Sequence, residues 1–300
     1  MERPALPPLH FLLALAVTAV WGVNFVVIKA GLQHLPPLTF AALRFTFAFL
    51  PVALFVKRPK VPWKNLAAYG LLIGVGQFGL LFIAMKNQIS PGLASLVVQM
   101  QVFFTVGLAM WLSGERVRPY QLAALGLAGA GLAWLVAHTN AEVKPLGLIL
   151  VLGAALSWAG GNIVARANGS VNMLAYVVWA SLFSAPPLWA LAFALEGWPT
   201  AVHAIASADA GTWAVVLWQS VGNTLFGYAA WGWLLARHPA AVISPLSLLV
   251  PVFGMGASAI LLGESLPGWK LTAAVLVLSG LALNVFWPRI AGRFKTAPAA

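Results

Sequence analysis

The chain has no cysteine and only six carboxylates in 300 residues. The first absence excludes disulfides, thiolate metal sites and thiol catalysis. The second leaves few groups for acid–base chemistry: Glu2, Glu115, Glu142, Glu196, Asp209 and Glu264 are all the acids. No apolar run pairs two carboxylates or holds histidines at metal-ligand spacing, and no nucleophile has an evident base, so an enzyme is poorly supported. A G-x-x-x-x-G-K-[ST] phosphate loop is also missing, which argues against ATP-driven pumping within the chain; no ATPase subunit and no cofactor are implied. Charged residues make up 8%, against about a quarter in a soluble domain. Such a chain cannot build a wetted surface of its own size.

What is present is apolar: 61% hydrophobic residues, 14 tryptophans and a mean hydropathy of +0.91. The expected solvent is the lipid bilayer, with Trp favoured at its interfaces. The net charge of +11 is explained by basic cytoplasmic loops better than by nucleic acid, because Lys and Arg fall between the apolar runs. A spanning helix needs about 20 residues. Ten runs qualify, roughly 9–31, 37–56, 65–86, 91–113, 119–138, 145–166, 172–195, 212–236, 240–262 and 267–288. Prolines mark the short connections, as in Pro36-Pro37, Ser90-Pro91, Arg118-Pro119 and Lys144-Pro145. The first run is not read as a signal peptide, since it holds Trp21, Asn24 and Lys29 and other spans follow. The longest connection, 196–211, has room for a short interfacial helix. The fold class is therefore an all-α polytopic membrane protein with ten transmembrane helices.

Lys and Arg in short loops set the orientation. With the N-terminus inside, the cytoplasmic side collects Arg3, Lys57, Arg58, Lys60, Lys64, Arg116, Arg118, Arg166, Arg237, Arg289, Arg293 and Lys295. The other side collects only Lys29, Lys86, Lys144 and Lys270. Both termini are expected in the cytoplasm.

The chain also repeats itself. Residues 90–115 and 239–264 share Ser95 with Ser244, Phe104 with Phe253, Gly107 with Gly256 and Glu115 with Glu264, at an offset of 149. Earlier, Trp21 and Lys29 fall over Trp158 and Arg166 at an offset of 137. The expected organisation is a first repeat over 1–138, a second over 139–288 and a cytoplasmic tail over 289–300. Five spans per half invert the second copy, and inverted repeats in transporters place cargo between the halves near the midplane. A duplicated scaffold that moves nothing is the alternative.

Polar groups in hydrocarbon face the bundle interior unless they are satisfied locally. Trp21 and Asn24 are three apart; Ser95 and Gln99 are four apart, with Gln101 turned away; Trp158, Asn162 and Arg166 form one stripe; Gln219 and Asn223 are four apart, with Tyr228 and Trp231 further along. Gln77 stands among glycines. These stripes predict one polar cavity walled by the first, third, fourth, sixth and eighth helices. Interhelical hydrogen bonding is the competing reading for each residue alone. Gly70-x-x-x-Gly74 and Gly126-x-x-x-Ala130 read as close helix packing.

Arg44 lies seven residues inside the second run, about 10 Å deep, and its counterpart is Ser181. It suits a carboxylate held by two parallel hydrogen bonds, with snorkelling as the alternative. Lys29 and Arg166, near span ends, read as interfacial anchors. Glu115 and Glu264 sit at related helix ends and are gating candidates; a structural ion pair fits each equally well. No acid lies mid-span, which disfavours a buried carboxylate proton relay.

The runs WGVNFVVIKAGLQHLPP, GQFGLLF at 76–82, GLASLVVQMQVFFT, GER at 114–116, SWAGGNI at 157–163 and SPLSLLVPVFG at 244–254 resemble the EamA branch of the drug/metabolite transporter superfamily. The resemblance spans about residues 9–288. It implies two inverted five-helix repeats, a bacterial inner-membrane location, and export of amino-acid metabolites of the cysteine and O-acetylserine type. It also implies a cavity surrounded by the first, third, fourth, sixth, eighth and ninth helices. The expected activity is alternating-access export of small zwitterionic metabolites through Trp21, Asn24, Arg44, Gln77, Gln99, Trp158, Asn162, Gln219, Asn223 and Tyr228. The aromatic residues are expected to keep the cavity narrow. Export of drugs or aromatic compounds on the same fold is the alternative, and a homodimer is compatible with either.

Overall fold

The computed structural model describes residues 6–113, 118–138, 144–168, 171–238 and 240–295. Among these, nine helices are long and apolar enough to cross a membrane. They are α1 (Pro8–His34), α2 (Pro37–Leu54), α3 (Trp63–Asn87), α4 (Pro91–Leu112), α5 (Pro119–Ala137), α6 (Pro145–Arg166), α7 (Met173–Ala206), α9 (Pro245–Leu262) and α10 (Gly268–Trp287). The pieces Ala210–Leu217, Trp218–Phe226 and Gly227–Arg237 run on without a break as α8 (210–237). This helix is long enough, but Gln219, Ser220, Asn223 and Thr224 dilute its apolar character, and all four are buried. Its polarity faces protein rather than lipid.

The prolines that punctuate the sequence are also helix starts. Pro8, Pro37, Pro91, Pro119 and Pro145 stand in the first turn of their helices, where a missing N–H costs nothing because that donor has no intrahelical acceptor. Gly197 at φ 89° ends the membrane-length part of α7 and turns the chain into Trp198–Ala206. That short helix occupies the connection where one was anticipated. Gly263 at φ 67° closes α9. Both need the left-handed conformation that glycine adopts without a steric penalty.

The packing has the form of a repeat. α1 lies on α9, and α6 on α4; α3 lies on α6, and α8 on α1; α3 lies on α7, and α8 on α2; α2 pairs with α7, and α5 with α10. Exchanging each helix with the one five places away maps this set onto itself. Small residues permit the approach. A Cβ at Gly22 would stand 2.5 Å from Phe253 Cβ and 2.7 Å from the Val250 carbonyl. Gly70 and Gly74 lie against Ala180 and Ser184. Gly126 corrects the sequence reading: it faces open space, and Ala130 is exposed. Ala124, Ala128 and Gly131 make the contact with α10 instead. Trp111, Ile149, Leu195, Ile260 and Val275 point outward, the apolar exterior a bilayer requires.

One end of the bundle is tied by charged groups. The Glu196 carboxylate, one residue before Gly197 in α7, accepts from the N–H groups of Leu38 (2.6 Å) and Thr39 (2.9 Å) and from the Thr39 hydroxyl. Glu264, just after α9, accepts from Gly92 N (3.1 Å), Ser90 and Ser258 hydroxyls, and Lys270 Nζ at 3.0 Å. Each acid thus caps the N-terminus of a helix from the other half, satisfying orphan donors where the macrodipole favours negative charge. Lys29 Nζ donates to the Lys86 carbonyl at 3.0 Å, while Lys86 Nζ donates to the Leu32 carbonyl. Lys29 is therefore a cap between α1 and α3.

Candidate functional site

Side chains from α1, α3, α4, α6, α7, α8 and α9 enclose a cavity of about 530 Å³. Trp21, Asn24, Gln77, Gln99, Trp158, Asn162, Asn223 and Tyr228 all line it. The five helices named from their polar stripes are all present, with Ser247 and Val250 from α9 and Met173 from α7 added. The cavity reaches exposed residues at one end only, Arg166 and Leu235. Towards the Glu264 end its walls are buried: Asn24, Phe25, Phe78, Leu81, Val98 and Val250.

Two of the walls are not α-helical. Leu71–Gly79 in α3 and Trp218–Phe226 in α8 are π-helical segments of nine residues each. They occupy corresponding helices of the two halves and carry Gln77, Gln219 and Asn223. Wider turns free backbone carbonyls, and π segments gather at functional sites. Trp21 Nε1–H donates to the Asn223 carbonyl at 3.2 Å, and the Ser157 hydroxyl to the Leu72 carbonyl at 2.8 Å. A 3₁₀ turn at Val98–Met100 acts on α4. In an α-helix two residues apart are about 160° apart. At three residues per turn they are about 120° apart. Gln101 is thereby brought to the cavity beside Gln99, against the expectation that it turns away.

The amides divide into two groups. Asn162 Nδ2 donates to Gln101 Oε1 at 3.0 Å and to Thr105 Oγ1 at 3.3 Å, and Asn162 Oδ1 has no donor among the described residues. Gln99 and Asn223 make no side-chain hydrogen bond to the described residues, and Gln77 Oε1 is buried without a donor. These groups retain hydrogen-bonding capacity for water or a bound molecule.

Arg44 and Gln219 do not line the cavity, which corrects direct contact between Arg44 and a bound carboxylate. Arg44 is fully buried behind the wall. Its Nη1 donates to Gln219 Oε1 at 2.9 Å, and its guanidinium carbon lies 3.5 Å from the Phe78 ring centroid. Gln219 Nε2 in turn donates to Asn24 Oδ1 at 2.7 Å. Burial against Phe78 competes with snorkelling and wins, because cation–π contact and an amide acceptor offset part of the desolvation. Arg166, read as an anchor, is exposed at the end of α6 and also stands at the cavity mouth. Glu264 forms the structural ion pair rather than standing free; Glu115 lies outside the described residues. Sequence reading also missed Tyr69 and Thr105. Tyr69 precedes Gln77 by eight residues, a same-face helical spacing that could have revealed it.

A family model described as the EamA-like transporter family matches residues 9–137 and 145–286. The chain belongs to the EamA-like transporter family. Similar proteins include a "Probable amino-acid metabolite efflux pump" of Salmonella typhimurium, 43% identical over 284 residues, covering 93% of this chain and 95% of that one. A protein of the same name from Escherichia coli K12 is 42% identical over 280 residues, covering 91% and 94%. A solved crystal structure with 19% identity matches the EamA fold seen here with a TM-score of 0.63, over 94% of this chain and 98% of its own. This EamA protein is a multi-pass transporter of the bacterial inner membrane and not an enzyme.

Proposed function

We propose that the chain exports small zwitterionic amino-acid metabolites, of the cysteine and O-acetylserine type, by alternating access. Ten helices in two inverted repeats, both termini in the cytoplasm, would do this with the cavity presented to the cytoplasm through its Arg166 end. The observation that carries the reading is the one-ended cavity lined by neutral amides, with hydrogen-bond donors and acceptors on facing helices. A carboxylate would meet amide N–H groups and an ammonium the Asn162 carbonyl oxygen and a Trp face. The names of the relatives from Salmonella and Escherichia coli support this class of cargo. The described acids, Glu196, Asp209 and Glu264, are engaged at helix ends. That favours facilitated export over a buried proton relay.

Uptake of radiolabelled cysteine and O-acetylserine into proteoliposomes, with and without an imposed proton gradient, tests this directly. Saturable uptake indifferent to the gradient supports it. Uptake that needs the gradient keeps the cargo and removes the facilitative mechanism. One observation favours a second reading: 530 Å³ holds on the order of fifteen waters, more room than one cysteine needs despite the aromatic walls. Flat aromatic cations that compete where cysteine does not would establish a drug exporter.

A further inference from the structure

The buried chain Arg44–Gln219–Asn24 settles a question of polarity. An amide side chain offers an oxygen at one end and an NH2 group at the other, and the two look alike in shape. A guanidinium has donors only. Gln219 must therefore turn its oxygen to Arg44, at 2.9 Å. Its NH2 group is then left to face Asn24, and meets Asn24 Oδ1 at 2.7 Å. With its oxygen engaged, Asn24 can offer the cavity only its NH2 group. That nitrogen meets no acceptor among the described residues, and Asn24 lines the cavity.

Arg44 is a cation without a counter-ion among the described residues. The acids among the described residues are held elsewhere, Glu196 on α2, Asp209 on Thr212 and Glu264 on α4 and Lys270. Its Nε has no hydrogen-bond partner among the described residues, and the residue is completely buried. A buried charge is costly to keep unpaired. Structural need alone does not account for it, because the symmetry-related position is the small Ser181, whose hydroxyl is satisfied by its own helix.

We propose that Arg44 is a positioning residue that fixes Asn24 as a hydrogen-bond donor, so that the α1 side of the cavity favours a carboxylate over its carboxamide, which offers a weaker acceptor and an NH2 group the site cannot pair. Arg44 acts through Gln219 and does not touch the cargo. On the opposite wall no cation among the described residues is hydrogen-bonded to Asn162 or Gln101, and both can turn together without losing their bond. Selectivity for the anionic group is therefore set on α1 and is rigid. This deepens the cargo reading above and rests on it for the identity of the cargo, though not for the donor polarity.

The test uses purified full-length protein and tryptophan fluorescence, since Trp21 and Trp158 line the cavity. Ligands are compared in pairs that differ in one group: L-cysteine with L-cysteinamide, and benzoate with benzamide. N-acetyl-L-cysteine supplies a carboxylate without an ammonium. Wild type is expected to bind the carboxylate of a pair roughly five- to tenfold more tightly, the difference between a hydrogen bond to a charged group and one to a neutral group. The deciding variant is Gln219→Glu. It keeps the shape, pairs with Arg44 and should preserve folding. Its oxygens, however, accept from both sides, so Asn24 must turn its NH2 group inward and show the cavity its oxygen. The preference is expected to vanish or reverse, and Arg44→Met is expected to abolish it. A Gln219→Glu protein that retains the wild-type preference, or a wild type with no preference in either pair, overturns the proposal. Wild type that selects benzoate but ignores cysteine, or binds N-acetyl-L-cysteine as well as cysteine, leaves the polarity argument standing and removes the zwitterion reading.

Discussion

Replacing Glu264 should unfasten one end of the bundle. Its carboxylate takes hydrogen bonds from four groups on three different segments, and Lys270 beside it has no exposed surface. Glu264→Ala removes that acceptor and the ion pair it makes with the buried Lys270 ammonium. Breaking a buried pair on one side costs about 3–5 kcal/mol. The Ser265 carbonyl also accepts from Lys270 at 3.0 Å, so the lower figure, about 3 kcal/mol, is expected. The assay is a double-mutant cycle of thermal unfolding in detergent on Glu264→Ala, Lys270→Met and the combination. The combined variant should recover only the part of the loss that comes from breaking the Glu264–Lys270 pair on one side, because the donors of Ser90, Gly92 and Ser258 still lack their acceptor. The pH dependence has a definite sign. Burial raises the Glu264 carboxyl, yet the donors of Ser258, Ser90, Lys270 and Gly92 together bring it below its ordinary value. A group with a depressed folded-state value stabilises fully above its unfolded value and loses that contribution as pH falls through the folded one. The stability gap between wild type and Glu264→Ala should thus be constant from pH 7 to about 5 and close only below about pH 4. A Glu264→Ala protein within about 1 kcal/mol of wild type at pH 7 would refute the capping argument.

Gln99→Ala and Asn162→Ala should leave unfolding unchanged within about 0.5 kcal/mol and lower cysteine flux in proteoliposomes; normal flux in well-folded variants removes both residues from the cargo path. Gly22→Val places a side chain against Phe253 and the Val250 carbonyl, so it should cost at least 1–3 kcal/mol, about the range for overpacking, and scanning calorimetry would show it. Glu196→Ala strips two N–H groups of α2 of their acceptor and should cost about 1–2 kcal/mol in thermal unfolding, as for a lost helix cap. Arg166→Gln removes the cation at the cavity mouth and should raise the apparent KM for carboxylate cargo while leaving stability within about 0.5 kcal/mol.

Most of the helical layout was legible because hydrocarbon imposes a length and a polarity on each span. Prolines and basic loops mark the ends, and the self-similarity predicts which helices exchange places. Local backbone pitch was hidden. Gln101 was assigned to the wrong face because a wheel of 100° per residue ignores the 3₁₀ turn at Val98–Met100. The small-xxx-small spacing at Gly126 says nothing about which side of a helix meets a neighbour, and here the adjacent stripe of Ala124, Ala128 and Gly131 does. Arg44 was recognised as unusual, but its depth gave no hint that Gln219 and Phe78 stand between it and the cavity. Lateral contacts of that kind depend on tertiary packing, which no single-span pattern contains.

The carboxylates at Glu196 and Glu264 secure helices; the cavity surface is mostly uncharged amide and aromatic. Fastening and recognition are therefore written in different residues. Substitutions at Gln99, Asn162 or Asn223 meet an open space, not a tight core, and leave the caps at Glu196 and Glu264 untouched. A lineage carrying this bundle can wander from one cargo to another by a few such changes without passing through an unstable intermediate, provided Gln219 and Asn24 drift together.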